Sequence, residues 1–113
     1  MKLSNEQVEQ YRRDGYLVVE DVLSDDDLAP VIGAIERHLD ARARELYNKG
    51  LISNLCEDEP FERRYAGLYR QSKEIGSGLD IMYARKREMF EFLFHPKILD
   101  VAASLLGNEL TCS

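Results

Sequence analysis

The 113-residue chain has the size of one domain, and its composition excludes several classes of protein. Hydrophobic residues make up 44% and charged residues 32%, a balance typical of globular rather than disordered chains. The net charge of −6 disfavours nucleic acid as a partner, because a duplex is itself densely negative. No apolar run approaches the ~20 residues of a membrane span. Met1 to Gln10 is polar and carries no signal-peptide core, so we expect a cytoplasmic protein with no membrane partner.

The first helix is predicted from about Asn5 to Asp14, because both its start and its end carry clear signals. Ser4 is a good N-cap, and Gln7, three residues further on, completes a capping box. Gly15 can adopt the left-handed conformation that ends many helices. Tyr16 to Val19 follow as a short β-branched and aromatic run, which predicts a strand buried on both faces. Such a strand needs a partner.

A second, longer helix is predicted to open at Ser24 and to end over Asn48, Lys49 and Gly50. Ser24 is a cap residue, and the aspartates that follow it suit the positive end of the helix dipole. Pro30 lies deep for a first turn, so either the helix start is kinked or the cap is Asp26. The predicted buried stripe has helical spacing and consists of Leu28, Ile32, Ile35, Leu39, Ala43 and Leu46.

The second half of the chain predicts further helices separated by loops. A helix is predicted after Pro60, with Phe61, Tyr65, Leu68 and Tyr69 at helical spacing, and a loop follows from Ser72 to Gly78. The next helix is predicted from near Ile81 to Phe94, and its candidate buried residues are Met82, Met89, Phe90 and Leu93. A last helix is predicted from Pro96 to Gly107. Leu110 to Cys112 is typical of the first residues of a strand. Because the chain stops there, we expect it to be truncated.

The most suggestive chemical motif is His38-Leu39-Asp40 with His95 downstream, the residue pattern of a non-haem iron site. This motif works in an extended backbone, where residues two apart point the same way. His38 and Asp40 are predicted in mid-helix, where residues two apart point roughly 200° from each other. We therefore expect His38 to flank the buried stripe and Asp40 to pair with Arg44, at i,i+4.

Other residues with possible chemistry have simpler explanations. Cys56 is followed by three acidic residues, which disfavour a thiolate nucleophile, and with Cys112 it is expected to be a free thiol. An anion-binding patch is possible, but a solvated helix face balanced by glutamates is favoured; the cations are Arg63, Arg64, Arg70, Arg85, Lys86 and Arg87. Three tyrosines could line a pocket, although packing at the edge of the core is favoured; they are Tyr65, Tyr69 and Tyr83.

Three ordered pieces of the sequence resemble the N-terminal segment of phytanoyl-CoA dioxygenase-like proteins. The first is the capped helix followed by Asp14-Gly15-Tyr16-Leu17-Val18-Val19. The second is Val22-Leu23-Ser24 with Leu28 and the long helix behind it. The third is His95-Pro96-Lys97-Ile98-Leu99, which leads to Leu105-Leu106-Gly107. Each piece alone is weak, but the three in this order are fairly specific.

The resemblance implies a double-stranded β-helix (jelly-roll) oxygenase that uses Fe(II), 2-oxoglutarate and O₂ to hydroxylate a small organic substrate. In that family the iron ligands and the basic residues for 2-oxoglutarate lie beyond the L-L-G helix. No residue here matches them, so no catalytic, cofactor-binding or metal residue is carried over. The expected fold class is mainly α with one or two short strands, as a single partial domain over residues 1–113 that is inactive alone. Leu51 to Asp80 would form part of a substrate entrance.

Two alternatives remain open from the sequence. The chain could be a standalone helical interaction module that docks an exposed apolar face onto a protein partner. It could also be an iron enzyme through His38, Asp40 and His95, which is the least favoured reading because a jelly roll needs about eight strands. Unpaired strands would also allow the chain to associate with itself.

Overall fold

A computed structural model describes residues 1–80 and 85–112 of the chain, and within them the fold is mainly helical, as predicted. The described part holds five α-helices and one 3₁₀ helix, and no strand. In chain order they are α1 (Asn5–Asp14), α2 (Asp25–Asn48), α3 (Phe61–Gln71), the 3₁₀ helix (Lys73–Gly76), α4 (Arg87–Leu93) and α5 (Pro96–Leu106).

The predicted bounds of α1 are confirmed, because its ends are fixed by local hydrogen bonds. The Gln7 N–H donates to the Ser4 hydroxyl at 3.2 Å, and the Ser4 N–H donates to the Gln7 side chain at 2.9 Å. At the other end Gly15 has φ +80°, and its N–H donates to the carbonyl of Tyr11 at 2.8 Å.

Helix α2 begins with a second reciprocal cap. The Ser24 N–H donates to the Asp27 carboxylate at 2.8 Å, and the Asp27 N–H donates to the Ser24 hydroxyl at 3.2 Å. Ser24 is therefore the cap, and the alternative prediction of a cap at Asp26 is wrong. The helix runs on through Pro30, whose missing N–H leaves the carbonyl of Asp26 without its usual helical donor.

The predicted strands at Tyr16–Val19 and Leu110–Cys112 do not form in the described chain. Among the described residues, no backbone–backbone hydrogen bond involves Tyr16 to Leu23. A strand is held by its neighbour's peptide groups, and these segments pair with none in the part of the chain that the structure describes. The exposure from Tyr16 to Glu20 still alternates between exposed and half-buried, the pattern of a chain with one face available for packing.

In the second half of the chain the predicted bounds of α5 are accurate, whereas the segments before it differ from the prediction. Pro96 is the first residue of α5, and Gly107 follows it with φ +90°, as predicted. The predicted loop from Ser72 to Gly78 instead contains the 3₁₀ helix. The helix predicted from near Ile81 to Phe94 forms over Arg87–Leu93, and Arg85 and Lys86 before it are not helical. Residues 81–84, which include the buried candidate Met82, lie outside the described residues.

The described residues group into two compact units, and residues 28–90 form one of them. This unit has a true apolar core, which confirms much of the stripe predicted on α2. The core residues are Leu39, Ala43, Leu46, Ile52, Leu68 and Ile75, with Val31 and Ala34 also buried.

The other unit consists of Met1–Asp27 and Glu91–Ser113. None of its described residues is buried, even in α5, which is predominantly apolar. The helical spacing of α5 predicts four inward-facing residues, and all of them are only half-buried: Ile98, Val101, Ala102 and Leu105. A helix with so much apolar surface is usually covered more completely. No described helix is both long and apolar enough to cross a bilayer.

Candidate functional site

A concave groove of about 680 Å³ lies in the 28–90 unit between α2 and the start of α3. Its walls are charged, and four of its residues form one continuous network. These are Asp40 and Arg44 on α2, Glu57 before α3, and Arg64 on α3. The helical spacing of Gly33, Arg37, Asp40 and Arg44 places them along one face of α2.

Asp40 is the centre of this network. The Arg64 guanidinium donates to one Asp40 oxygen at 2.8 Å, and the Arg44 guanidinium donates to the other at 3.0 Å. The hydrogen bonds from Arg64 and then Arg44 lower the pKa of Asp40 below its ordinary value. The same carboxylate, with Glu57 at 2.8 Å, raises the pKa of Arg44. The predicted pairing of Asp40 with Arg44 is therefore confirmed.

Arg64 has a structural role in this groove. Only 12% of its side chain is exposed, and its guanidinium also donates to the carbonyl of Leu55 at 3.2 Å. A guanidinium held by three acceptor contacts is not available to bind a free anion. Of the other cations that could have formed an anion-binding patch, Arg63 and Arg70 lie exposed on α3, whereas Arg85 and Arg87 already have partners.

Of the three possible iron ligands, Asp40 and His95 are held by other contacts, and the Nε2 atom of His38 is buried. His38 and Asp40 lie within α2, as predicted, and Asp40 is held by two arginines. The His38 Nε2 atom is buried and has no hydrogen-bond partner, and its ring lies against Gly78, where a Cβ would be 3.6 Å from Nε2. No group of three or more His, Cys, Asp or Glu side chains suited to a metal occurs among the described residues.

His95 belongs to a second polar cluster, in the unit that contains both chain ends. Its Nδ1 atom accepts a hydrogen bond from the Lys97 N–H at 3.2 Å and so caps α5. Its Nε2 atom lies 3.3 Å from Asp27, whose other oxygen accepts from the Lys97 ammonium. The hydrogen bond from Lys97, followed by that from the Ser24 backbone, holds the pKa of Asp27 far below its usual range.

The sequence did not reveal this second cluster. Asp27 and Lys97 are 70 positions apart, and no motif or spacing in the sequence pairs them. The only local signal was the His-Pro start of α5, which indicated a cap but not its partner. The sequence indicates Ser24 as a cap but does not indicate its reciprocal bond with Asp27.

The described cysteines and tyrosines make ordinary structural contacts. Cys56 and Cys112 are free, as predicted. The Cys56 sulfur accepts a hydrogen bond from the Gln71 side chain at 3.6 Å and is half-buried. Tyr65 and Tyr69 stack with ring centroids 5.8 Å apart, and Tyr83 lies outside the described residues.

A small apolar cleft of about 250 Å³ also lies in the 28–90 unit. Tyr65 lines it with Phe61 on the same helix, and Ile35, Leu39, Leu79 and Met89 complete the wall. The cleft has almost no polar lining, so it provides apolar contact without a group that could orient a reaction.

Comparison with known proteins identifies no relative: no family model, no curated protein and no solved structure matches this chain.

Proposed function

We propose that this chain is the helical N-terminal part of a phytanoyl-CoA dioxygenase-like oxygenase. The complete enzyme would be cytoplasmic and would use Fe(II) and 2-oxoglutarate to hydroxylate a small organic substrate. A jelly-roll barrel outside these residues would supply the catalytic groups. The chain would support that barrel and would be inactive by itself.

The observation that carries the proposal is the uncovered apolar surface of the unit formed by the two ends of the chain. Tyr16 and Val18 are 67% and 76% exposed, and Phe94 and Leu106 are 68% and 74% exposed. An isolated apolar side chain at a surface is ordinary, but four of them in a unit with no buried described residue favour an additional packing partner. A sheet that paired with Tyr16 to Val19 and covered α5 would meet this need.

The described residues do not fit an iron site of their own. The facial-triad pattern requires two histidines and a carboxylate with free donor atoms that converge. Asp40 is held by Arg64 and Arg44, His95 uses Nδ1 to cap α5, and the Nε2 atom of His38 is inaccessible. We therefore derive no catalytic step from this chain, and the iron ligands of the proposed enzyme would lie elsewhere.

The coding sequence immediately after Ser113 tests the proposal most directly. An in-frame H-x-D, followed by a distal histidine within roughly one domain length of ~100–150 residues, is the expected result. The longer product should release succinate from 2-oxoglutarate in the presence of Fe(II), and the 113-residue chain should not. Stoichiometric Fe(II) binding with succinate release by the 113-residue chain would overturn the proposal, as would a downstream frame without the motif.

A second candidate function is a standalone helical interaction module. It is favoured by the 28–90 unit, which has a closed apolar core and exposes the stacked Tyr65 and Tyr69 by 36% and 42%. Exposed tyrosines are common anchors at protein interfaces. Light scattering separates the two candidates, because a genuine module should be monodisperse and a barrel-less oxygenase segment should associate with itself through the unpaired Tyr16–Val19 segment.

A further inference from the structure

Residues 1–27 form a segment, the strap, that contacts α5 near its start and near its end. At the first end the Leu3 N–H donates to the Ser104 hydroxyl at 3.0 Å, and the Met1 ammonium lies 3.0 Å from the Asp100 carboxylate. At the other end Asp27 receives Lys97 and lies beside His95. The strap therefore forms a loop with a polar attachment to α5 near each end.

The two attachments differ in strength. Met1 and Asp100 are 49% and 44% exposed, so water and salt screen their attraction. The Asp27 side chain is only 18% exposed and combines the contacts of Lys97 and His95 with the cap at Ser24. Charge-assisted hydrogen bonds in a partly dry position are the stronger kind. Asp27 is thus the main latch of the strap.

The strap between these ends is attached weakly. None of its residues is buried, and within the described chain Tyr16 to Leu23 take part in no backbone–backbone hydrogen bond. Helix α1 is only 10 residues long, and helices shorter than ~12–15 residues are marginal in water without tertiary support. Segments with few buried apolar contacts open at low free-energy cost.

We propose that residues 1–27 are a releasable strap on α5, latched by Asp27 against Lys97 and His95, and that opening the latch frees the strap without unfolding residues 28–90. The device is independent of the proposed oxygenase function, because it rests only on contacts within one unit of this chain.

Hydrogen exchange of the α1 amides, compared with those of α3, tests the latch. Because α1 is marginal alone, its amides should lose protection when the strap detaches. Asp27→Asn keeps an acceptor for the cap at Ser24 but removes the charge that holds Lys97. We expect α1 exchange to rise about tenfold or more, the value of one charge-assisted hydrogen bond, with α3 unchanged.

The matched control is Asp26→Asn, which removes the same charge from the same helical turn at an exposed position. It should leave α1 exchange as in the wild type. Lys97→Met removes the other side of the latch, keeps the Asp27 cap intact and should reproduce the effect of Asp27→Asn. Lys2→Met is its exposed control.

Salt gives a second, independent measurement. Raising NaCl from about 0.05 to about 0.5 M should accelerate α1 exchange in the wild type, and less so in Asp27→Asn, where the main charge pair is already lost. Unchanged α1 exchange in both latch variants would overturn the proposal. Equal acceleration of α1 and α3 would overturn it too, because Asp27 would then hold the whole fold rather than the strap.

Discussion

The two units of this chain are closed by different kinds of interaction. Residues 28–90 bury Leu46, Leu68 and Ile75 almost completely, so the hydrophobic effect holds them together. In the unit made by the two ends of the chain no described residue is buried, and its long-range contacts include Asp27 with Lys97 and Leu3 with Ser104. The hydrophobic contribution itself depends little on pH and salt, whereas charged and polar contacts depend on both.

The difference indicates which unit has a closed apolar core and which unit can still accept another packing surface. A core of packed side chains loses stability sharply when one of its members is truncated, because a cavity remains. In a unit held by polar contacts, with apolar residues that are only half-buried, truncating one side chain does not leave such a cavity. It can instead be opened, or covered by another surface, at modest cost.

The largest expected contrast comes from two leucine truncations. Leu68→Ala removes a fully buried side chain from the 28–90 core and should cost about 3 kcal/mol of unfolding free energy. Leu105→Ala removes a half-buried side chain from α5 and should cost about 1 kcal/mol or less. Urea denaturation of both variants measures the difference. Equal losses would show that α5 is packed as tightly as the core.

The next largest effect concerns the charged groove. Arg64→Ala removes the hydrogen bonds to Asp40 and to the Leu55 carbonyl, and we expect a loss of about 2 kcal/mol. Arg63→Ala changes the exposed neighbour on the same helix and should stay within about 0.5 kcal/mol of the wild type. Thermal unfolding of the two variants is the measurement. A loss for Arg63→Ala as large as that for Arg64→Ala would contradict a structural role of Arg64.

Acid should weaken the 28–90 unit through Asp40. Its pKa is lowered in the fold, mainly by the hydrogen bond from Arg64, so its contribution to stability is fully present above the unfolded pKa of about 3.9. That contribution is lost as the pH falls from there through the folded pKa. Unfolding free energies at about pH 5 and about pH 3 should therefore differ less in Asp40→Asn than in the wild type. The exposed Asp58→Asn should keep the wild-type difference.

The smallest effect is expected from the two histidines, with opposite signs. His38→Leu replaces a side chain whose buried Nε2 atom has no partner, so the change should be neutral or stabilising by up to about 1 kcal/mol. His95→Leu removes the cap of α5 and should cost about 1 kcal/mol. Melting temperatures compare the two. A destabilised His38→Leu variant would indicate that the imidazole has a role that its contacts do not show.

The sequence predicted those features that are decided locally. The ends of α1 and α5 follow from Ser4, Gly15, Pro96 and Gly107, residues whose backbone preferences act within a few positions. The contact of Asp40 with Arg44 follows from helical spacing in the same way.

The features that were missed depend on partners far away in the chain. Tyr16 to Val19 has the composition of a strand, but composition cannot supply the neighbouring strand that a ladder needs. The contacts of Arg64 with Asp40 and of Lys97 with Asp27 join positions 24 and 70 residues apart. No periodicity in the sequence specifies such pairs, so the center of the groove and the latch of the strap became visible only in the fold.

Pro30 weakens the connection between the first turn of α2 and the rest of the helix. Because proline has no N–H, the carbonyl of Asp26 is released from the ladder of hydrogen bonds at that point. The turn that carries Asp27 is consequently joined to the rest of α2 by one bond fewer. A hinge there would let the latch residue swing with the strap while Val31 stays in place, buried with the rest of the 28–90 unit.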